Sequence, residues 1–143
     1  MSTQVLLGFD FGTRRIGVAV GQQLTGVATP LVTLKNRDGA PDWEAIGRLL
    51  AEWQPTALVV GRPLNMDGSE QEMTRLARRF GNRLAGRYNL PVYTMDERLT
   101  SYEAEQRLGN RENLYSMKSD VDSMAAQIIL QAWLDQHPTK DEQ

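Results

Sequence analysis

The acidic residues of this chain are placed where carboxylates could do chemistry. Asp10 interrupts the apolar run "VLLGFDFGTRRIGVAV", Asp96 and Glu97 close "LPVYTMDE", and Asp120 and Asp122 sit in "SDVDS". A carboxylate inside a buried strand is costly unless something positive meets it, either an arginine or a metal ion. The ends of parallel strands are where open α/β sheets place their sites. If the three segments converge there, three carboxylates share a small volume, and a divalent cation is the natural remedy. Two such ions ~3.5–4 Å apart activate water and stabilise the leaving oxygen of a phosphodiester. Asp96 and Glu97 are adjacent on a strand and point to opposite faces, so only one can serve. One or both of Asp120 and Asp122 read as contacts at a helix N-terminus. Spacing alone leaves both choices open.

The composition narrows the chemistry. There is no cysteine and a single histidine, His137 beside Pro138. Thiolate zinc sites and disulfides are excluded, and Ser-His-Asp catalysis is not indicated. A metal would be held by oxygen, which favours Mg²⁺ or Mn²⁺. The net charge of −2 does not announce nucleic-acid binding, although 13 of the 16 basic residues are arginine, whose planar fork suits phosphate. No run approaches a membrane span and the N-terminus lacks a signal-peptide pattern, so the expected location is the cytoplasm.

The 143 residues suit one domain, expected over 1–137 with a frayed tail at 138–143. "QVLLGFDF", "RIGVAVG" and "GVATPLVTL" read as an antiparallel meander, followed by the irregular "KNRDGAPD". "WEAIGRLLAEW" has helical spacing and stops at Pro55. "TALVVG" reads as a buried parallel strand, "RPLNMDGS" as a loop, and Ser69 with Glu72 as the capping box of a helix over 70–87. "LPVYTMDE" is the last strand. Thr100 with Glu103 caps a short helix, and Ser119 with Asp122 caps the apolar "VDSMAAQIILQAWLD". Three antiparallel strands followed by parallel ones give a mixed five-stranded sheet flanked by helices, the pattern of the ribonuclease H-like α/β fold.

Four stretches, "GFDFGTRRIGVAV", "VVGRPLNMDGS", "DERLTS" followed by Ala104 and Glu105, and "VDSMAAQIILQAWLD", resemble in order the motifs of the YqgF (RuvX) family. These bacterial proteins are described as Holliday junction resolvases and as pre-16S rRNA nucleases, with a ribonuclease H-like fold. The resemblance runs from about residue 5 to 135. It implies that Asp10, Glu97 and Asp122 form the acidic triad, catalytic and metal-binding, and so selects Glu97 over Asp96 and Asp122 over Asp120. One departure is visible: many members read Ser-Asp where this chain has Gly21-Gln22.

Arg14, Arg15, Arg62 and Arg98 flank element ends near the proposed site and are candidates to position a nucleic-acid backbone, with ion pairing to nearby acids as the plain alternative. "RPLNMDG" is either a loop closing over substrate or a tight connection made by Asp67-Gly68. The resemblance implies a Mg²⁺- or Mn²⁺-dependent endonuclease acting on precursor ribosomal RNA, with ribosome association and a monomer or weak homodimer. A resolvase of four-way DNA is the alternative within the same chemistry. Two readings lie outside it: an RNA-binding assembly factor with little catalysis, and a nucleotide-binding module. The latter rests on "DFGT" before "IGVAV", which resembles the first phosphate loop of the actin and sugar-kinase fold but occurs in one copy.

Overall fold

The computed structural model describes residues 4–37, 39–99 and 118–138. Six strands form one mixed sheet: β1 (Val5–Phe11), β2 (Arg15–Gln22), β3 (Val27–Arg37), β4 (Ala40–Pro41), β5 (Ala57–Arg62) and β6 (Val92–Asp96), in the order β4-β3-β2-β1-β5-β6. The meander β1–β2–β3 is antiparallel, and β5 and β6 run parallel to β1. The expected count of five is therefore one short. β3 continues through the polar stretch to Arg37, and Gly39, at φ +77°, leads into the two-residue β4. Pro41 is tolerated because β4 is an edge, where a missing N–H costs no ladder bond.

Among the described residues three helices cover the sheet: α1 (Trp43–Trp53), α2 (Glu72–Tyr88) and α3 (Lys118–Gln136), with a 3₁₀ turn at Glu97–Leu99. Asp42 caps α1, its Oδ1 accepting the Ala45 N–H at 3.0 Å. The cap of α2 is displaced from the expected Ser69 and Glu72. The Ser69 hydroxyl donates instead to Asp67, and the box forms at Gln71 and Thr74, whose Oγ1 accepts the Gln71 N–H at 3.0 Å. Ser119 and Asp122 are likewise not the cap of α3, since both lie within the helix. The Thr100–Glu103 helix falls outside the described residues. No helix among the described residues is long and apolar enough to cross a membrane.

Period-two alternation gives the sheet two unlike faces. Leu7, Phe9, Ile16, Val18 and Leu58 point toward Ile46 of α1 and toward Phe80 and Leu84 of α2. Leu6, Ala19, Val59 and Met95 pack against Ala126, Ile129, Leu130 and Trp133 of α3. Asp10 follows Leu6 and Gly8 on the α3 side.

Candidate active site

Asp10 lies one residue from the C-terminal end of the central strand β1. Its antiparallel partner is Gly17 on β2. On the other side Phe9 pairs with Val60, so the next residue of β5 beside Asp10 is Gly61. The carboxylate is thus flanked on its own face by two glycines, and each makes room for another acid. A Cβ on Gly61 would stand 2.5 Å from Glu97 Oε2 and 2.6 Å from Ile129 Cδ1. The Glu97 carboxylate therefore lies over the Gly61 backbone, in the gap next to Asp10. A Cβ on Gly17 would stand 1.9 Å from the backbone oxygen of Asp122. The first half of α3 rests directly on β2 there, which brings Asp122 to the same corner.

The electrostatics record the crowding. Burial, reinforced by the charges of Glu97 and Asp122, pushes the Asp10 carboxyl from 3.8 up to about 8. Burial, with Asp96 adding repulsion, pushes Glu97 from 4.5 to about 7. Asp122 has a counter-ion: Arg15 Nε donates to its Oδ2 at 2.7 Å. Among the described residues no group of three His, Cys, Asp and Glu side chains is gathered into a ready metal cluster. With the Asp122 carboxylate drawn to Arg15, the trio shares a field and a corner rather than a closed ligand set. Its donors still suit a hard divalent cation. They are all oxygen, and burial desolvates two of them.

Alternation also explains the division between Asp96 and Glu97. Met95 faces α3, Asp96 ends β6, and the chain turns at once into the 3₁₀ helix that begins with Glu97. Asp96 takes the Arg98 guanidinium, with Nη2 donating to Oδ2 at 2.7 Å, which holds its carboxyl below the usual range. Arg98 Nη1 also donates to the Met66 carbonyl at 3.3 Å. Arg98 thus fastens the 63–70 connection to the end of β6. That connection is tight: Asn65 N–H donates to the Ser69 carbonyl at 2.9 Å, Gly68 N–H to the Asn65 carbonyl at 2.8 Å, and Leu64 bridges Glu70. Of the other two arginines, Arg14 is exposed on the β1–β2 turn. Arg62 is exposed at the end of β5, where its charge acts on Asp96 and Glu70.

The departure at Gly21-Gln22 is remote from this corner. Gln22 pairs with Val5 at the opposite end of β1, and Gly21 lies under Leu130 and Leu134. What sequence reasoning missed was the pair Gly17 and Gly61. The available signal was a glycine inside each of two apolar strands, "RIGVAV" and "LVVGR", which marks a close backbone approach.

The comparisons with known proteins agree with this architecture. The family model RuvX, described as Holliday junction resolvase, matches residues 4–136. A relative from Pseudomonas paraeruginosa, named "Putative pre-16S rRNA nuclease", is 54% identical over 136 residues, covering 94% of each chain. One of the same name from Aeromonas hydrophila subsp. hydrophila is 53% identical over 137 residues, covering 95% of this chain and 98% of its own. Among solved structures, RuvC of T. thermophilus in complex with a Holliday junction substrate superposes with a TM-score of 0.52 at 19% identity, covering 92% and 93% of the two chains. The Fowlpox virus resolvase in complex with Holliday junction DNA gives 0.53 at 11% identity, covering 93% and 98%. These likenesses carry the ribonuclease H-like fold of the RuvC-type resolvases. With the family model spanning nearly the whole chain, and relatives above half identity at matching length, this chain belongs to the RuvX family of nucleases.

Proposed function

We propose that this protein is a divalent-metal-dependent endonuclease whose acidic centre is Asp10, Glu97 and Asp122. One observation carries the reading: Asp10 is half-buried between two glycines that admit Glu97 on one side and the Asp122 segment on the other. Acids crowded in this way concentrate negative charge where a cation would relieve it. The three carboxylates would hold Mg²⁺ or Mn²⁺. When bound, such an ion supplies the charge that activates a water and stabilises the leaving oxygen of a phosphodiester. The chain's own contribution is placement. β1 fixes Asp10, the turn after β6 delivers Glu97, and the contact of α3 with Gly17 fixes the backbone of Asp122. Arg14, Arg15 and Arg62 are the cations that meet the backbone of the substrate. Arg98 acts through the 63–70 connection that it holds.

The names of the relatives favour precursor 16S ribosomal RNA as substrate; cytoplasmic cleavage in association with the assembling ribosome is part of the same proposal. The family's description favours a second reading, resolution of four-way DNA, which needs two symmetric cuts and hence a two-fold dimer. Purified protein offered precursor RNA and a four-way junction side by side separates them. The RNA reading expects cleavage of the precursor by a monomer or weak homodimer, supported by Mg²⁺ or Mn²⁺ and stopped by excess EDTA. Cleavage that survives EDTA overturns the metal mechanism. Binding of RNA without cleavage under any divalent ion makes the chain an assembly factor.

A further inference from the structure

Beyond the acidic corner, the α3 face of the sheet continues from Arg15 into two further cations, Lys35 and Arg37, that no part of the chemistry above uses. Arg15 on β2 pairs directly with Lys35 on β3, so both side chains leave the same face. Arg37 is two residues further along β3 and returns to that face. The alternation is fixed independently: Ile16 and Leu34, the pair next to Arg15 and Lys35, are buried on the opposite face, and Asn36, between Lys35 and Arg37, is buried. Cross-strand partners stand about 5 Å apart at Cβ and alternate residues of one strand about 7 Å apart. The three cations therefore step outward from the Asp122 corner at the pace of an extended polyanion. Lys35 and Arg37 are exposed and, among the described residues, make no ion pair or side-chain hydrogen bond. Arg15 is half exposed and spends only its Nε on Asp122. Asp38, which follows in sequence, lies outside the described residues.

We propose that Arg15, Lys35 and Arg37 form a phosphate track that carries the single strand entering or leaving the acidic corner across β2 and β3. This rests on the nuclease reading and adds a direction to it: the strand runs along the sheet toward the β3–β4 edge rather than over β6. Lys35 and Arg37 touch no reacting atom and are positioning residues.

The track needs no metal, so it is tested apart from catalysis. A fluorescent single-stranded RNA oligonucleotide is titrated in EDTA from 20 to 200 mM salt against wild type, Lys35→Gln/Arg37→Gln, and Arg48→Gln. Arg48 lies on α1, paired with Glu44 at 3.7 Å. Each phosphate contact on a single strand contributes about 0.7 to the slope of log affinity against log salt, so the double variant is expected to flatten it by about 1.4. The Arg48 variant should match wild type. In Mg²⁺, the double variant should raise KM with kcat little changed. An unchanged salt slope in the double variant overturns the track. So does a wild type that binds no RNA at low salt in EDTA, and in that case cleavage in Mg²⁺ still stands for the nuclease reading. A flattened slope without any cleavage in Mg²⁺ or Mn²⁺ upholds the track and sinks the nuclease reading.

Discussion

The two faces of β1 solve opposite problems with alternating residues of one seven-residue strand. Toward α1 and α2 it presents Leu7, Phe9 and Phe11, and the rings of Phe9 and Phe80 meet edge-on with centroids 5.6 Å apart. Toward α3 it presents Leu6, Gly8 and Asp10, with glycines again at positions 17 and 61 beside the acid. One face fills space and the other withholds it. Stability and chemistry are thus assigned to odd and even positions of the same segment, and can be damaged separately.

The sharpest separation is between neighbours. Asp10→Asn should abolish nearly all cleavage while the chain folds, because the amide keeps the shape and loses the charge that holds the ion. Phe9→Ala should do the reverse, costing about 3–5 kcal/mol in denaturant unfolding while the fraction that stays folded still cuts. An Asp10→Asn protein that fails to fold would make Asp10 a structural residue and erase the distinction.

Asp122→Asn should come close to Asp10→Asn in cleavage at saturating Mg²⁺, with Asp120→Asn mild. Positions two apart on a helix differ by ~200° in direction, so both cannot face one ion. Equal losses at 120 and 122 would enlarge the acidic set.

The glycines test the withheld space itself. Gly61→Ala meets only the far ends of Glu97 and Ile129, which can turn aside. It should cost little stability and lower cleavage by roughly ten- to a hundredfold, since a misplacement of about 1 Å suffices for the latter. Gly17→Ala meets backbone at 1.9 Å, so α3 must shift. Its cost should appear in thermal unfolding, at about 1–3 kcal/mol or more.

The smallest effect is in pH. Metal-free folded protein keeps protons on Asp10 to about pH 8 and on Glu97 to about pH 7, whereas the ordinary values are 3.8 and 4.5. Folding therefore takes up protons across that window, and stability falls as pH rises through it. Melting temperature without metal should drop between pH 5 and pH 8. Asp10→Asn should flatten the drop, and Mg²⁺ should raise the melting temperature more at pH 8 than at pH 6. A melting temperature that climbs over this range would mean that the acids are paired with cations in the fold.

Much of the fold was legible because hydrophobic period and turn chemistry are local. The meander, α1 and the two parallel strands read directly from the chain. The errors came where local signals compete. Ser69 carries a perfect cap pattern but is claimed by Asp67 two residues back, so the helix starts later. The Asp42 cap was never in competition, and α1 begins where its spacing says. At the site, the types of Asp10, Glu97 and Asp122 were readable, but their juxtaposition depends on cross-strand register, which no single segment encodes. The claims on the arginines were equally hidden. Arg98 is bound to a carboxylate two residues away, while Arg15 reaches one on the last helix.

The contact of Gly17 with Asp122 has a consequence for how this family can vary. The spacing between β2 and the first half of α3 is set there by main chain against main chain, as a hard stop is set in a machine. Side-chain packing elsewhere along α3 can drift by compensating substitutions, larger here and smaller there. A stop made of peptide groups offers no such adjustment. A chain of this family that acquired any side chain at the Gly17 position would have to seat its last helix at a different height, and with it the acid that the helix carries.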